Sequence, residues 1–286
     1  MTYGIPYMGS KNQIAKKIVD FLPSGERFVD LFGGGFAMSH CALLSGKYKS
    51  VLYSDINPIL PPLIRDAING KYNFNHFKPR FISREEFFKK KETDGYIKWV
   101  WSFGNDGRTY LFGRNIEDIK RQGHAYCVDK KPINGIPNCD ADDIETRRKF
   151  LNRFCKNELG LQQLQRLEGL QRLEQLSGDI KITNASYLDY TYKSGDIVYC
   201  DPPYEDTKRY NGAEFDHKAF YNWAYSRPYP VYFSSYEISD NHFKPLWSTK
   251  KRSLLNSAKS YLQKTEYIYG NAAAERLEDS RFLFNM

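Results

Sequence analysis

Residues 28–36 read FVDLFGGGF. A short apolar strand, Phe28 to Phe32, runs into three consecutive glycines, and Phe36 to Leu44 reads as a helix stopped by Gly46. Glycines at such a turn let backbone approach a ligand, and the helix behind them aims its N-terminal amides at it. Upstream, NQIAKKIVDFL (12–22) spaces Ile14, Ala15, Ile18, Val19 and Leu22 as a helix does, and Pro23 ends it. Downstream, SVLYSDINP (50–58) is a second strand ending at Ser54-Asp55. Helix, strand, glycine turn, helix, strand, acid is the opening of a doubly wound parallel sheet.

The alternation breaks over 60–176, which is richer in polar residues and turns, with GNDG at 104–107 and NGIPN at 134–138. It resumes with strands DIKITN (179–184) and GDIVYCD (195–201), a helix DHKAFYNWAY (216–225) and a strand PVYFSSYE (230–237). Two further strands are expected in SYLQKTEYIYG (260–270) and SRFLFNM (280–286). One α/β domain, 1–59 with 177–286, interrupted by 60–176, is the simplest account. Within the interruption, leucines recur at 161, 164, 167, 170, 173 and 176. Steps of three residues turn about 300° on an α-helix, so these leucines spread around it, as expected of a helix packed on several sides.

The chain carries a formal net charge of +8. Between residues 60 and 160 there are 20 Lys and Arg against 14 Asp and Glu, interleaved with Tyr96, Trp99, Trp101, Phe103, Tyr110 and Phe112. Basic residues among aromatics suit a polyanion with stackable bases; a solvated basic surface is the plainer alternative. No stretch approaches the ~20 apolar residues of a membrane span, and the N-terminus lacks the apolar core of a secretory signal. A soluble cytoplasmic protein is expected. The five cysteines form no CxxC pair, so reduced thiols are expected, with no metal site.

The glycine segment is neither GxGxxG nor a P-loop, so neither a dinucleotide nor a triphosphate is indicated. Asp30 precedes the turn, and Asp55 ends the next strand, about where a nucleotide-binding sheet places the carboxylate for ribose hydroxyls. Together they suggest an adenosine-bearing cofactor without a phosphate group, although a turn-capping acid and an Asx turn explain each singly. The second telling stretch is IVYCDPPYED (197–206). Asp201 ends a buried strand at the carboxyl edge, where such sheets place their ligands. Pro202 and Pro203 have fixed φ and no N–H, so their carbonyls stand as rigid acceptors beside the carboxylate. Two acceptors of this kind hold both hydrogens of an exocyclic amine and turn its lone pair toward an electrophile. Tyr204 is placed to stack on the base.

The combination resembles the DNA adenine-N6 methyltransferases of the α group, the family that includes the GATC-methylating enzymes. YMGSK (7–11) after Pro6 resembles its N-terminal cofactor motif, FVDLFGGGF its S-adenosylmethionine motif, SDIN its ribose-binding acid and VYCDPPY its catalytic motif. ASYLDY (185–190) resembles the segment before the catalytic strand. The resemblance implies a Rossmann-like S-adenosylmethionine-dependent methyltransferase sheet, with 60–176 as an inserted, mostly helical target-recognition region. It implies that Tyr7 and Lys11 flank the cofactor, that Asp30, Phe32 and Gly33 line its methionine side, and that Asp55 accepts its ribose hydroxyls. Asp189 is a further cofactor contact, and Asp201 lies between cofactor and base. Asp201, Pro202, Pro203 and Tyr204 would hold a flipped adenine, with Tyr187 near it.

The insertion departs from the family. The Arg-x-Asn…Gly-x-Phe-Asn hairpin of GATC readers is absent from WSFGNDGRTYLFGRNIED (101–118), so another recognition site is expected. Arg108, Arg114 and Asn115 are the candidates for base or phosphate contacts. The expected activity is methyl transfer from S-adenosylmethionine to adenine N6 in double-stranded DNA, directly and after base flipping, with no metal. A monomer is expected, and a cognate restriction endonuclease or a phage setting is compatible with this reading. Three alternatives stand: the same chemistry on cytosine N4, methylation of RNA adenine, and a DNA-binding protein on this fold that has lost catalysis.

Overall fold

The computed structural model describes residues 2–155, 160–205, 215–254 and 261–284. Asp206 of the IVYCDPPYED stretch, and residues 260 and 285–286 of the expected tail strands, lie outside the described residues. The chain forms two compact units, Lys11–Ile56 with Ser177–Met286, and Thr2–Ser10 with Asn57–Leu176. Residues 2–10 join the second unit, whereas the 1–59 boundary groups them with the sheet. The reason is local: Met8 N donates to Asn105 O at 3.2 Å, and the Tyr7 ring lies 4.6 Å from that of Trp99.

The first unit is built on a sheet of β1 (Gly25–Asp30), β2 (Tyr48–Ser54), β3 (Asp179–Thr183), β4 (Asp196–Cys200), β5 (Val231–Ser235), β6 (Pro245–Leu254) and β7 (Tyr261–Gly270). Their order is β3-β2-β1-β4-β5-β7-β6. The strands β3, β2, β1, β4 and β5 are parallel; β7 enters antiparallel to β5, and β6 pairs with β7 as an antiparallel edge. Strand order reverses between β1 and β4, whose carboxyl ends are neighbours there, and that crevice is where open α/β sheets bind ligands. Strands β4 and β5 are buried along their whole length, which explains their near-continuous apolar runs.

In chain order the helices are α1 (Ala15–Phe21), α2 (Ala37–Ser45), α3 (Leu60–Ile68), α4 (Arg84–Lys90), α5 (Gly95–Val100), α6 (Glu117–Asp129), α7 (Ile144–Phe154), α8 (Gln162–Gln171), α9 (His217–Tyr225) and α10 (Ala272–Phe284). Helix α2 ends at Gly46, whose φ of 68° is a conformation glycine adopts without strain. Helix α9 begins at Asp216, whose carboxylate accepts from Ala219 N at 2.8 Å. It packs Phe220 and Trp223 onto Val29, Val198, Cys200, Val231 and Phe233; Cys200 is therefore core.

Two tail segments differ from expectation. SRFLFNM does not form a strand: through Phe284 it is the last part of α10. Asn271 starts that helix by accepting from Ala274 N at 3.0 Å, and the helix formers of AAAERLEDSR carry it onward. Conversely, Pro245–Leu254 is strand β6, although PLWSTKKRSL does not read as one. It is an edge strand, where a lysine- and arginine-rich sequence discourages pairing with other chains.

The second unit holds α3 to α8. Its aromatics are not laid out for stacking on bases. Trp99, Trp101, Tyr110 and Phe112 are buried, and Tyr96 stacks on Tyr72; only Phe103 of the set is exposed, at 64%. These rings make the unit's core, a use of aromatic surface that composition does not distinguish from nucleic-acid stacking. The leucine run forms α8 followed by a 3₁₀ turn, Arg172–Gln175. Leu161, Leu164, Leu167, Leu170 and Leu173 are all buried, and so are Gln163 and Glu168 on other sides of the helix. Glu168 is accommodated by a bidentate ion pair with Arg148, at 2.7 and 2.9 Å.

Candidate active site

The glycine turn after β1 is held by the residues that follow β2. Gly33 N donates to Ser54 O at 2.9 Å, Gly34 N to the Asp55 carboxylate at 2.8 Å, and Tyr53 Oη to Gly34 O at 2.8 Å. Gly33 is obligatory for packing, because a Cβ there would lie 2.2 Å from the Tyr53 ring. Asp55 is half-buried and spans the two segments. Asp30 is 1% exposed and accepts from Ser39 Oγ at 2.7 Å. Burial pushes its carboxyl up to about 7; the Ser39 bond opposes this, while the charges of Asp201 and Asp55 add to it. Phe32 stacks on Tyr187 with centroids 5.3 Å apart, and Tyr187 meets Phe220 and Trp223 edge-on. Asp189 is exposed, and its carboxylate closes a local turn by accepting from Ser186 N at 3.0 Å.

Asp201 leaves the carboxyl end of β4, next to this turn; Leu31 N donates to Tyr199 O at 3.1 Å. Its carboxylate is not bare. Lys11 Nζ lies 2.6 Å from each oxygen, and Ser234 Oγ on β5 donates to Oδ1 at 2.9 Å. Lys11 is 5% exposed and also lies 3.3 Å from Glu266 Oε1 on β7, a carboxylate with no exposure. Burial favours neutral Lys11, but Asp201 and Glu266 outweigh it and hold the pKa above the ordinary lysine value. Tyr204 Oη donates to Glu266 Oε1 and lies 3.3 Å from Ser234 Oγ, while its ring sits 4.9 Å from Lys11 Nζ. Burial, then the charges of Asp201 and Glu266, push the Tyr204 phenol well above its usual range, so it stays a donor.

The two prolines divide their roles. Pro203 O is met by His217 Nε2 at 2.8 Å, from the first turn of α9. One of its two lone pairs is therefore already engaged. Pro202 O, on the residue after Asp201, is the other proline carbonyl of the motif.

Asp30, Phe32, Gly33, Asp55, Lys11, Tyr187 and Asp201–Tyr204 thus all belong to the first unit, most around the β1/β4 crevice. Tyr7 belongs to the second. So do Arg108, Arg114 and Asn115, all exposed. Arg114 lines a cavity of about 490 Å³ together with Arg84, Phe103, Lys120 and Arg166. Glu266, Ser234 and His217 escaped the sequence reading. A single carboxylate inside the apolar run TEYIYG was the available signal for Glu266. Among the described residues no cluster of His, Cys, Asp and Glu is arranged for a metal, and no helix is long and apolar enough to cross a membrane.

The chain is similar to known proteins over parts of its length. Residues 7–130 match the family model described as D12 class N6 adenine-specific DNA methyltransferase. The chain is 24% identical over 214 residues to the Retron Ec67 DNA adenine methylase of Escherichia coli, an alignment covering 71% of this chain and 64% of that protein. It is 23% identical over 213 residues to the Type II methyltransferase M.MjaIII of Methanocaldococcus jannaschii, covering 70% and 68% respectively. The chain thus spans slightly under two thirds of the first relative's length. The chain is thus similar, over residues 7–130, to the D12 class N6 adenine-specific DNA methyltransferases, and it carries a glycine turn at the sheet's switch point with Asp-Pro-Pro-Tyr beside it.

Proposed function

We propose that the protein methylates N6 of adenine in double-stranded DNA with S-adenosylmethionine as methyl donor. The observation that carries this is the meeting of Asp201-Pro202 with the Asp30–Gly35 turn at the carboxyl ends of adjacent strands β4 and β1. The donor set suits that cofactor: two carboxylates, Asp30 and Asp55, frame a glycine turn that has no phosphate-binding lysine. Asp55 would hold the ribose, with Asp30, Phe32 and Gly33 toward the methionine and Tyr7, Lys11 and Asp189 as further contacts. Bound, the cofactor supplies an electrophilic methyl carbon.

The chain's own residues supply the rest. The target amine lies inside a stacked duplex, so the base has to be rotated out at a cost of a few kcal/mol. Tyr204, fixed by its hydroxyl, presents a face to the ring, and Tyr187 lies further along. Asp201 accepts one N–H of the amine and Pro202 O the other, which turns the nitrogen lone pair out of conjugation. The carboxylate then stabilises the positive charge that grows on nitrogen, an effect of about 2.7–4 kcal/mol for comparable preorganised groups. The attack is direct, with no enzyme-bound intermediate; buried Cys200 takes no part. The second unit is the target-recognition region in this reading, with Arg108, Arg114 and Asn115 toward DNA. The reading includes a monomer acting in the cytoplasm and leaves room for a cognate endonuclease.

The test is a nucleoside digest of DNA incubated with the protein and methyl-labelled cofactor. Label in N6-methyladenine is expected. Label in N4-methylcytosine overturns the assignment of the base, and unlabelled DNA and RNA favour a binding protein. Modification-sensitive sequencing of DNA from expressing cells then gives the recognition site.

A further inference from the structure

Asp201 is already occupied. As an ionised carboxylate it has two oxygens and acceptor capacity only, and Lys11 Nζ sits at 2.6 Å from both. That bridging position is where a ligand amine in the carboxylate plane would place its hydrogen. Ser234 takes further capacity on Oδ1. An ammonium held there competes with the amine for these oxygens and offsets the negative charge that would stabilise it.

The neighbouring carboxylate shows the complementary defect. Glu266 has no solvent exposure, its Oε1 accepts from Tyr204 Oη and lies 3.3 Å from Lys11, and its Oε2 is buried with no partner among the described residues. A buried carboxylate oxygen without a donor is costly and calls for an explanation. One ammonium stands between two carboxylates, bonded fully to one and at the margin of the other. Lysine suits a transfer between them: its stem is flexible and its three donors reorient. The Tyr204 ring, 4.9 Å from Nζ, lies alongside.

Building on the reading that Asp201 holds the target amine, we infer that Lys11 is a displaceable counter-ion. It covers Asp201 in the absence of a base and moves onto Glu266, filling the place at Oε2, when the amine enters. Glu266 is then a positioning residue, acting on the reaction through Lys11 and Tyr204 and not by touching the base. The charged and titratable groups facing Lys11 are Asp201, Glu266, Tyr204 and Tyr236; among them only Glu266 offers the ammonium a second anionic seat.

The test compares wild type, Glu266→Gln and Glu266→Asp on a duplex carrying the sequenced recognition site, with the target adenine kept and 2-aminopurine placed next to it to report its unstacking. Glu266→Gln keeps shape and one acceptor but removes the charge that receives Lys11. It should lower turnover roughly tenfold or more, the scale on which supporting partners of site residues act, and reduce the 2-aminopurine fluorescence rise. Cofactor affinity and melting temperature should stay near wild type, and Glu266→Asp should recover part of the loss. Glu266→Gln indistinguishable from wild type in turnover and fluorescence overturns the inference. So does a Gln variant that loses cofactor binding and stability together, or an Asp variant no better than Gln. If wild type itself methylates no DNA, the reading of Asp201 falls first and this inference with it.

Discussion

Two of the ion pairs among the described residues differ in one respect. In the second unit Arg148 and Glu168 meet one to one, each carboxylate oxygen with its own guanidinium nitrogen. In the first unit a single ammonium, Lys11, is contested by Asp201 and Glu266, and one carboxylate oxygen is left without a donor. The first arrangement is complete as it stands, as a pair that serves packing should be. The second carries a surplus of negative charge and acceptors, which a folding requirement alone does not produce. Buried polar groups left short of partners are among the marks of a site that awaits a ligand.

The strongest way to break this contrast is Asp201→Ala. Turnover should fall by about a thousandfold or more, read in single-turnover methyl transfer, while calorimetry still detects cofactor binding. Unchanged turnover would remove Asp201 from the chemistry. Next, Arg148→Met strands Glu168 in the interior and should cost about 3–5 kcal/mol of stability. Asp201→Asn leaves Lys11 a partner in Glu266 and should cost less than half as much; equal losses in denaturant unfolding would erase the distinction between the pairs.

A third effect depends on pH. Asp30 has its carboxyl raised to about 7 in the folded protein, so folding favours its acid form. The stability this confers is complete below about pH 3.8 and is lost as pH rises through 7. Asp30→Asn, neutral throughout, should match wild type near pH 4 and exceed it by roughly 2–4 kcal/mol at pH 8. A wild type that gains on the variant as pH rises would reverse the sign and refute the cause. The smallest change expected is for Asp55→Ala. It should weaken cofactor affinity about tenfold, in line with a lost charge-assisted hydrogen bond, with turnover at saturating cofactor nearly intact.

The sheet was legible because its central strands announce themselves. Phe28–Asp30 and Ile197–Cys200 are apolar runs ended by an acid, a pattern that parallel strands buried on both faces impose. Edge strand β6 was not, since its Lys250, Lys251 and Arg252 give solvated-loop chemistry to a strand paired on one side. Around the site, residues adjacent in sequence were found and residues adjacent only in space were not. Asp201 and Tyr204 share a motif, but the partners of Asp201, Pro203 and Tyr204, namely Ser234, His217 and Glu266, sit on β5, α9 and β7. Nothing local links TEYIYG to DPPY. The aromatics of 96–112 misled for a related reason: a tryptophan stacked on a base and one closing a core have the same neighbours in sequence.

Lys11 and Glu266 bracket every strand of the parallel sheet, and the β7 that carries Glu266 pairs with β5 only after the second unit's residues have been made. At about 5–20 residues per second of synthesis, tens of seconds separate the two residues on the ribosome. A nascent chain that has already placed Asp201 beside β1 therefore holds Lys11 and Asp201 together with no alternative seat for the ammonium. The order in which the polypeptide is written thus sets the order in which Lys11 meets its two carboxylates, Asp201 first and Glu266 last.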